Sequence, residues 1–188
     1  MKIRFLLIGA VLSIMAIVPI LASCSPAAAG TTSKDSTTTS TTTTETFTAA
    51  TDANLTYKPT WIEPTVGDRT LSIPVATVLQ DVMTHFKMTP PSGKQETFMA
   101  YYYQGQIYVR GDWCACQSIN FDMKGNLLIC TSCGTTFDTV TGKGTGTVGS
   151  PNCRTYPKES AVYQTQDGKL VMKVSDLDTA YQNTLKQG

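Results

Sequence analysis

Hydrophobic and polar positions divide the chain into three parts. Residues 5–22 carry no charge and are mostly apolar, whereas 15 of the 21 residues from 31 to 51 are Ser or Thr. A Ser/Thr stretch buries too little apolar surface to offset the entropy of ordering, so this part is expected to be disordered. The pattern predicts a signal segment (residues 1–23), a tether (residues 24–56) and one folded domain (residues 57–188).

Within the folded domain, the pattern is mostly that of β-strands. Residues 70–74 predict a strand, and apolar spacings of three and four over residues 75–87 predict a short helix that includes a surface or half-packed His85. Alternation around turn residues predicts three hairpins, and glycines predict an extended loop over residues 141–151. The hairpin arms are residues 98–103 with 106–109, 119–122 with 127–130, and 161–163 with 169–174. The expected fold class is mainly β (α+β), a small hairpin-rich domain with one or two short helices and a cysteine cluster at hairpin tips.

Charge and composition exclude several functions. The chain has 15 Lys and Arg against 14 Asp and Glu, so no basic excess is present to neutralise phosphates and no nucleic-acid partner is expected. The one histidine, His85, excludes any site that needs two imidazoles. No paired carboxylates, phosphate loop or nucleophile with a base is visible. We therefore expect an accessory protein with no catalytic residue rather than an independent enzyme.

The amino terminus has the pattern of an export signal. Lys2 and Arg4 precede the uncharged run, which ends in Leu-Ala-Ser-Cys at residues 21–24. This ending resembles the lipobox of bacterial lipoproteins, which implies that Cys24 becomes the lipidated amino terminus. Several acyl chains anchor a protein stably, so the chain is expected to face outward from the cytoplasmic membrane in the cell envelope. An uncleaved anchor helix with an incidental Cys24 is the alternative.

Five of the six cysteines lie close together in the sequence. Cys130 and Cys133 are separated by two residues and followed by glycine, a spacing typical of a metal-binding turn. Cys114 and Cys116 are two apart, which places both thiols on one face of a strand or in one turn. The two pairs predict a four-sulfur metal site, with Cys153 as a fifth thiol near it or as an exchangeable ligand.

Disulfides are the alternative for these cysteines. Paired cysteines usually oxidise outside the cytoplasm, and two disulfides with one remaining thiol would make the protein a non-catalytic envelope module. Disulfides seldom combine a C-x-C pair with a C-x-x-C-G pair, so the clustering favours a metal site.

Two families share these cysteine motifs. Residues 130–142 read CTSCGTTFDTVTG, which resembles the second box of Rieske iron–sulfur proteins, C-x-x-H-G-x-x-F-D-x-x-T-G, with Cys133 in the histidine position. Cys114-Ala115-Cys116 resembles the first box, C-x-H, again with cysteine for histidine. A chain with one histidine cannot form a Rieske centre with two histidine ligands.

The second family covers more of the chain. Residues 70–178 are similar to the FtrD-like membrane iron–sulfur proteins in the strand that ends at Pro74, the aromatic run at 98–103, both cysteine pairs, and residues 170–177. The chain departs from this family in having C-x-C where C-x-x-C is usual, and Ser-Pro-Asn-Cys at residues 150–153 in place of Gly-Gly-Cys-Asn-Pro.

The FtrD-like resemblance implies an iron–sulfur cluster bound by cysteines, and a role in electron transfer or metal handling beside a membrane redox or metal-transport complex. Lys2 and Arg4 are separated by Ile3 and form no twin-arginine pair, so export as an unfolded chain is expected. Such export favours a single Fe, Zn or Cu(I) ion instead, because a cluster would have to be assembled outside the cytoplasm. Both kinds of cofactor stay open at this stage.

We predict that Cys24 is the modified amino terminus. Cys24→Ala should leave the signal uncut or release the protein from membranes, because the acylated sulfur would be lost. Membrane fractionation and the mass of the mature chain measure this. A variant that is processed and fractionates like the parent would contradict the lipoprotein interpretation.

Overall fold

The computed structural model describes residue 49 and residues 51–188. Cys24, the predicted signal segment and most of the predicted tether therefore lie outside the described residues. The described part is mainly β, with three short helices and a cysteine cluster, which confirms the predicted fold class. Within these residues, no helix is long and apolar enough to cross a membrane.

Thirteen strands and three helices make up the part of the chain that the structure describes. The strands are β1 (Thr56–Tyr57), β2 (Thr60–Trp61), β3 (Thr65–Val66), β4 (Thr70–Pro74), β5 (Met83–Met88), β6 (Glu96–Tyr103), β7 (Gln106–Gly111), β8 (Phe121–Lys124), β9 (Leu127–Cys130), β10 (Thr136–Asp138), β11 (Gly144–Thr145), β12 (Gln164–Gln166) and β13 (Lys169–Lys173). The helices are α1 (Val75–Asp81), α2 (Pro151–Arg154) and α3 (Val174–Thr184).

The strands form three sheets. The five-stranded sheet has the order β1-β8-β9-β10-β11, and all of its pairs are antiparallel. One four-stranded sheet has the order β12-β13-β4-β3. The other has the order β2-β5-β6-β7, in which β2 runs parallel to β5 and the remaining pairs are antiparallel.

Strand β6 lies between two hydrophobic cores. Its alternate residues point to opposite faces, so Phe98, Ala100 and Tyr102 enter one core while Met99 and Tyr101 enter the other. The first core joins the two four-stranded sheets to α1 and α3, and the second core contains residues of the five-stranded sheet and three of the cysteines. Burial of each large apolar side chain contributes about 1.5–3 kcal/mol, so this strand ties the cysteine region to the rest of the domain.

The first predicted hairpin is confirmed. Strands β6 and β7 pair in the predicted register around Gln104 and Gly105, which both have positive φ. The second hairpin also forms, from β8 and β9, but its turn is tighter than predicted, because Lys124 already pairs with Leu127.

The prediction of a helix over residues 75–87 is wrong in its second half. Helix α1 ends at Asp81, Val82 has a φ of 63°, and the chain continues as strand β5. His85 therefore lies in a strand and is fully buried, not half-packed or at the surface. Five of the six residues of β5 are buried because both faces of the strand are covered, which removes the alternation that identifies a strand in sequence.

The third hairpin is displaced from its prediction. Its turn at Asp167 and Gly168 is confirmed, but the first arm is β12 rather than residues 161–163. Those residues instead lie alongside β7. Ala161 donates its N–H to the carbonyl of Val109, and the Tyr163 hydroxyl donates to the carbonyl of Ile107. The predicted loop at residues 141–151 contains the short strand β11, and α2 begins at its end.

A turn after β10 brings the chain close to a buried arginine. The Asp138 carboxylate accepts hydrogen bonds from the backbone N–H groups of Val140 and Thr141, which closes the turn. Gly142 follows with a φ of 70°, and its carbonyl accepts the N–H of Lys158. The Arg110 guanidinium donates to the carbonyls of Val140 and Lys158, so it joins this turn to the segment after α2.

We predict that Gly142→Ala strongly destabilises the fold. An added Cβ would lie 2.1 Å from the Lys158 carbonyl oxygen and 2.6 Å from Arg110 Nη1. Gly168→Ala is the matched control, since Gly168 also has a φ of 70° but nothing within 4 Å of the added atom. Chemical denaturation should show a loss about 2–3 kcal/mol larger for Gly142→Ala than for Gly168→Ala. Equal losses would contradict the close packing of this turn.

Candidate metal centre

The first cysteine pair lies in a tight turn that follows β7. Gln117 donates its N–H to the carbonyl of Cys114, and Cys114 donates its own N–H to the carbonyl of Ser118. The turn leaves Cys114 buried and Cys116 exposed. Of the two geometries that the C-x-C spacing allowed, the structure therefore has the turn rather than the strand.

The second pair lies in the turn between β9 and β10. Cys130 is the last residue of β9, and Gly134 donates its N–H to the Cys130 carbonyl with a φ of 70°. This is the glycine geometry that the C-x-x-C-G spacing predicted. Thr131 donates its N–H to the carbonyl of Asn120, which connects this turn to the segment that follows the first pair.

Cys153 reaches the same place from the short helix α2, where it is buried. The Thr135 hydroxyl holds the approach to this helix, because it accepts the N–H of Ser150 at 3.0 Å and lies 3.1 Å from Cys133 Sγ. Gly149 packs so closely on Thr135 that an added Cβ would lie 2.4 Å from Thr135 Cα. The glycine-containing loop is thus fixed on the second cysteine turn.

Four sulfur atoms converge from these three segments. The Sγ atoms of Cys114, Cys116, Cys133 and Cys153 all lie within 4.8 Å of one another. Cys114 Sγ is 3.8 Å from Cys133 Sγ, and Cys116 Sγ is 3.5 Å from Cys130 Sγ. Metal–sulfur bonds of about 2.3 Å in a tetrahedron place the sulfurs roughly 3.8 Å apart, so these separations fit a metal with thiolate ligands.

The structure brings all five predicted cysteines into one cluster, but it groups them differently from the sequence pairs. Cys153 belongs to the group of four mutually close sulfurs, and Cys130 lies beside that group. Cys114, Cys116 and Cys133 are therefore common to the predicted set and the observed group, while Cys130 ends β9 and Cys153 lies in α2. The sequence could not distinguish these two, since the path of the loop before Cys153 has no periodicity.

Hydrogen bonds among the thiols shift their pKa values in different directions. The hydrogen bond with Cys114 lowers the pKa of Cys130 to about 4 and raises the pKa of Cys114 above its ordinary value. Burial raises the pKa of Cys116 to about 11. Burial also opposes ionisation of Cys153, but hydrogen bonds with Cys114 and Ser150 leave its pKa below the ordinary value. Ionisation is thus easier than in an ordinary thiol at Cys130 and Cys153.

A buried lysine beside the cluster was missed by sequence reasoning. Lys158 is fully buried, and its Nζ donates to the carbonyls of Trp113 at 2.5 Å and Tyr156 at 3.1 Å. The same ammonium lies 4.3 Å from the ring centre of Phe137 and 5.5 Å from that of Phe121. No pattern in the sequence marks this lysine, because a charged residue in a loop segment is ordinarily exposed.

His85 and Asp112 form a second buried polar group that the sequence did not predict. His85 Nδ1 lies 3.0 Å from Asp112 Oδ2, and both side chains are fully buried. Burial lowers the pKa of His85 to about 3 and raises that of Asp112 well above its ordinary value. Asp112 immediately precedes Trp113 and Cys114, so this pair lies at the start of the first cysteine turn.

The chain matches a known protein family in sequence. A family model described as membrane iron–sulfur containing protein FtrD-like matches residues 78–183. Among curated proteins, none matches the chain in sequence.

Two ferredoxin-related solved structures are partly similar in backbone. One is described as a complex of reduced oxygenase and oxidized ferredoxin in carbazole 1,9a-dioxygenase; the identity is 17%, the match covers 57% of this chain and 95% of that one, and the TM-score is 0.43. The other is the Sphingomonas yanoikuyae B1 ferredoxin, with 18% identity, coverage of 46% and 83%, and a TM-score of 0.35.

We predict that the Thr135 hydroxyl keeps Cys153 in the cluster. Thr135→Val removes the hydroxyl at nearly constant volume and leaves the Ser150 N–H without its acceptor, which costs about 1–3 kcal/mol. Metal should pass to a chelator faster from Thr135→Val than from the parent, whereas Thr135→Ser, which retains the hydroxyl, should behave like the parent. Equal release rates for the Val and Ser variants would show that the hydroxyl has no such role.

Proposed function

Because the chain belongs to the FtrD-like family of membrane iron–sulfur containing proteins, we propose that it is a lipid-anchored envelope metalloprotein whose clustered cysteines hold an iron–sulfur cluster for electron transfer. The observation that carries the proposal is the convergence of four sulfurs within 4.8 Å from three separate segments. Thiolates select Fe–S clusters, zinc and Cu(I), so the donor set fits this class of cofactor.

The ligands that we assign are Cys114, Cys116 and Cys133, with the fourth position taken by Cys153 or Cys130. The first three belong to the group of mutually close sulfurs, and Cys130 Sγ is within 3.5 Å of Cys116 Sγ. A cluster bound here would supply a one-electron redox group held entirely by sulfur. The chain contributes the thiolates and the dry core around Cys114, while exposed Cys116 leaves one side of the centre accessible.

The proposed envelope location rests on the amino-terminal sequence pattern, and it favours a partner in the membrane. Lipidation at Cys24 would anchor the chain, and the Ser/Thr-rich tether would hold the domain away from the lipid surface. A membrane redox or metal-transport complex is the partner that this arrangement suits. Electron transfer to such a partner would pass through the side of the centre at Cys116, the one exposed thiol among the described cysteines.

Two cross-turn sulfur contacts favour a second candidate, a module with structural disulfides. Cys114 with Cys133 and Cys116 with Cys130 are each in contact across the two turns. Their separations of 3.8 and 3.5 Å exceed the disulfide bond length of about 2.05 Å, so neither pair is joined in this structure.

We predict that single Cys→Ser substitutions divide into two classes. Replacing Cys114, Cys116 or Cys133 should remove most of the bound metal, because each belongs to both of the four-sulfur ligand sets that we assign. Replacing Cys130 or Cys153 alone should leave a substantial fraction bound, since the other thiol can take the fourth position, and the double variant should lose it. Metal and sulfide analysis of anaerobically purified protein, with absorption spectra, measures these fractions.

The intact mass of the same anaerobically purified protein tests the disulfide alternative. A mass four hydrogens below that of the reduced chain, with no metal bound, would establish two disulfides and contradict the metal proposal. Loss of metal in Cys153→Ser together with full retention in Cys114→Ser would contradict the ligand assignment while leaving metal binding in place.

A further inference from the structure

We propose that the buried ammonium of Lys158 is the charge-compensating group of the cysteine centre, which it stabilises in its anionic form. The inference rests on the proposed metal-binding function and adds a residue that does not ligate the metal. Four thiolates around one divalent ion carry a net charge of −2, and an anionic group of this kind is costly to hold in a low-dielectric core unless a cation lies nearby.

The position of the ammonium is fixed by hydrogen bonds at both ends of Lys158. Its backbone N–H donates to the Gly142 carbonyl, and its backbone carbonyl accepts from Arg110 Nη1. At the other end, Nζ donates to the carbonyl of Trp113, the residue before Cys114. The side chain therefore spans from the turn after β10 to the start of the first cysteine turn.

The surroundings of the Lys158 ammonium allow its positive charge to act on the thiols with little screening. It is fully buried and lies over the Phe137 and Phe121 rings, which belong to the same core as Cys114, Cys130 and Cys153. Water is therefore excluded, and the field of the charge is weakly screened. The aromatic faces and the two carbonyls stabilise the cation without neutralising it.

Electrostatics among these buried groups is consistent with this role. Burial lowers the pKa of Lys158 to about 8, while the charges of Cys114, Asp112, Cys130 and Cys153 oppose that shift. The side chain is thus still mainly protonated at neutral pH. The other titratable or charged groups near the ammonium are Asp112, where burial raises the pKa against the opposing effect of the Lys158 charge, and Arg110, whose guanidinium is engaged with carbonyls and the Tyr101 hydroxyl.

The test compares Lys158→Met, Lys158→Arg and Lys143→Met in the full chain. Met retains most of the side-chain length without charge, Arg retains the charge, and Lys143 is an exposed lysine that serves as the matched control. Co2+ is titrated into the reduced metal-free proteins in competition with a chelator, and the midpoint potential of the iron-loaded proteins is measured. Thermal unfolding of the metal-free proteins reports any general loss of stability.

Lys158→Met should weaken Co2+ binding by about tenfold or more and lower the midpoint potential, because a buried positive charge favours the more negative, reduced state. Lys158→Arg should restore both values toward the parent, and Lys143→Met should leave both nearly unchanged. A potential that shifts equally in Lys158→Arg and Lys158→Met, or in neither, would overturn the role. Failure of the parent to bind Co2+ or iron would overturn the proposed metal-binding function as well. Failure of the Lys158 role alone would instead leave metal binding by the parent intact.

Discussion

The crowding of thiol groups in a dry part of the core is the constraint on which the rest of the structure depends. Cys114, Cys130 and Cys153 are buried, and four sulfurs lie within 4.8 Å of one another. Ionised thiols at such distances repel each other, so a neutralising group is needed for them to share one place. A divalent metal ion would offset half the charge of four thiolates, and the ammonium of Lys158 is the protein's own contribution.

The scaffold around this cluster is built to hold three short segments together. Strand β6 supplies residues to both hydrophobic cores, so the cysteine turns are attached to the whole domain and not to a loose subdomain. Thr135 joins the second turn to the approach to α2, and Arg110 joins the turn after β10 to Lys158. These contacts pre-organise the cysteine positions, which reduces the further ordering that binding of a metal would require.

Much of this arrangement could be predicted from sequence, and the remainder depends on long-range packing. The two cysteine turns and the β6–β7 hairpin follow from local spacing and turn residues, which act over a few positions. Strand β5 has no strand-like alternation in sequence because both of its faces are buried, so tertiary contacts rather than periodicity determine its conformation. The buried positions of His85, Asp112 and Lys158 could not be predicted for the same reason, since no local pattern marks a charged side chain as buried.

The metal content of the full-length protein purified without oxygen tests the central claim most directly, when it is measured together with acid-labile sulfide and the absorption spectrum. The account predicts one sulfur-bound metal centre per chain, with charge-transfer bands from thiolate to metal and, for an iron–sulfur cluster, sulfide in proportion to iron. Protein that is folded, fully reduced and free of metal after reconstitution with iron and sulfide would contradict it.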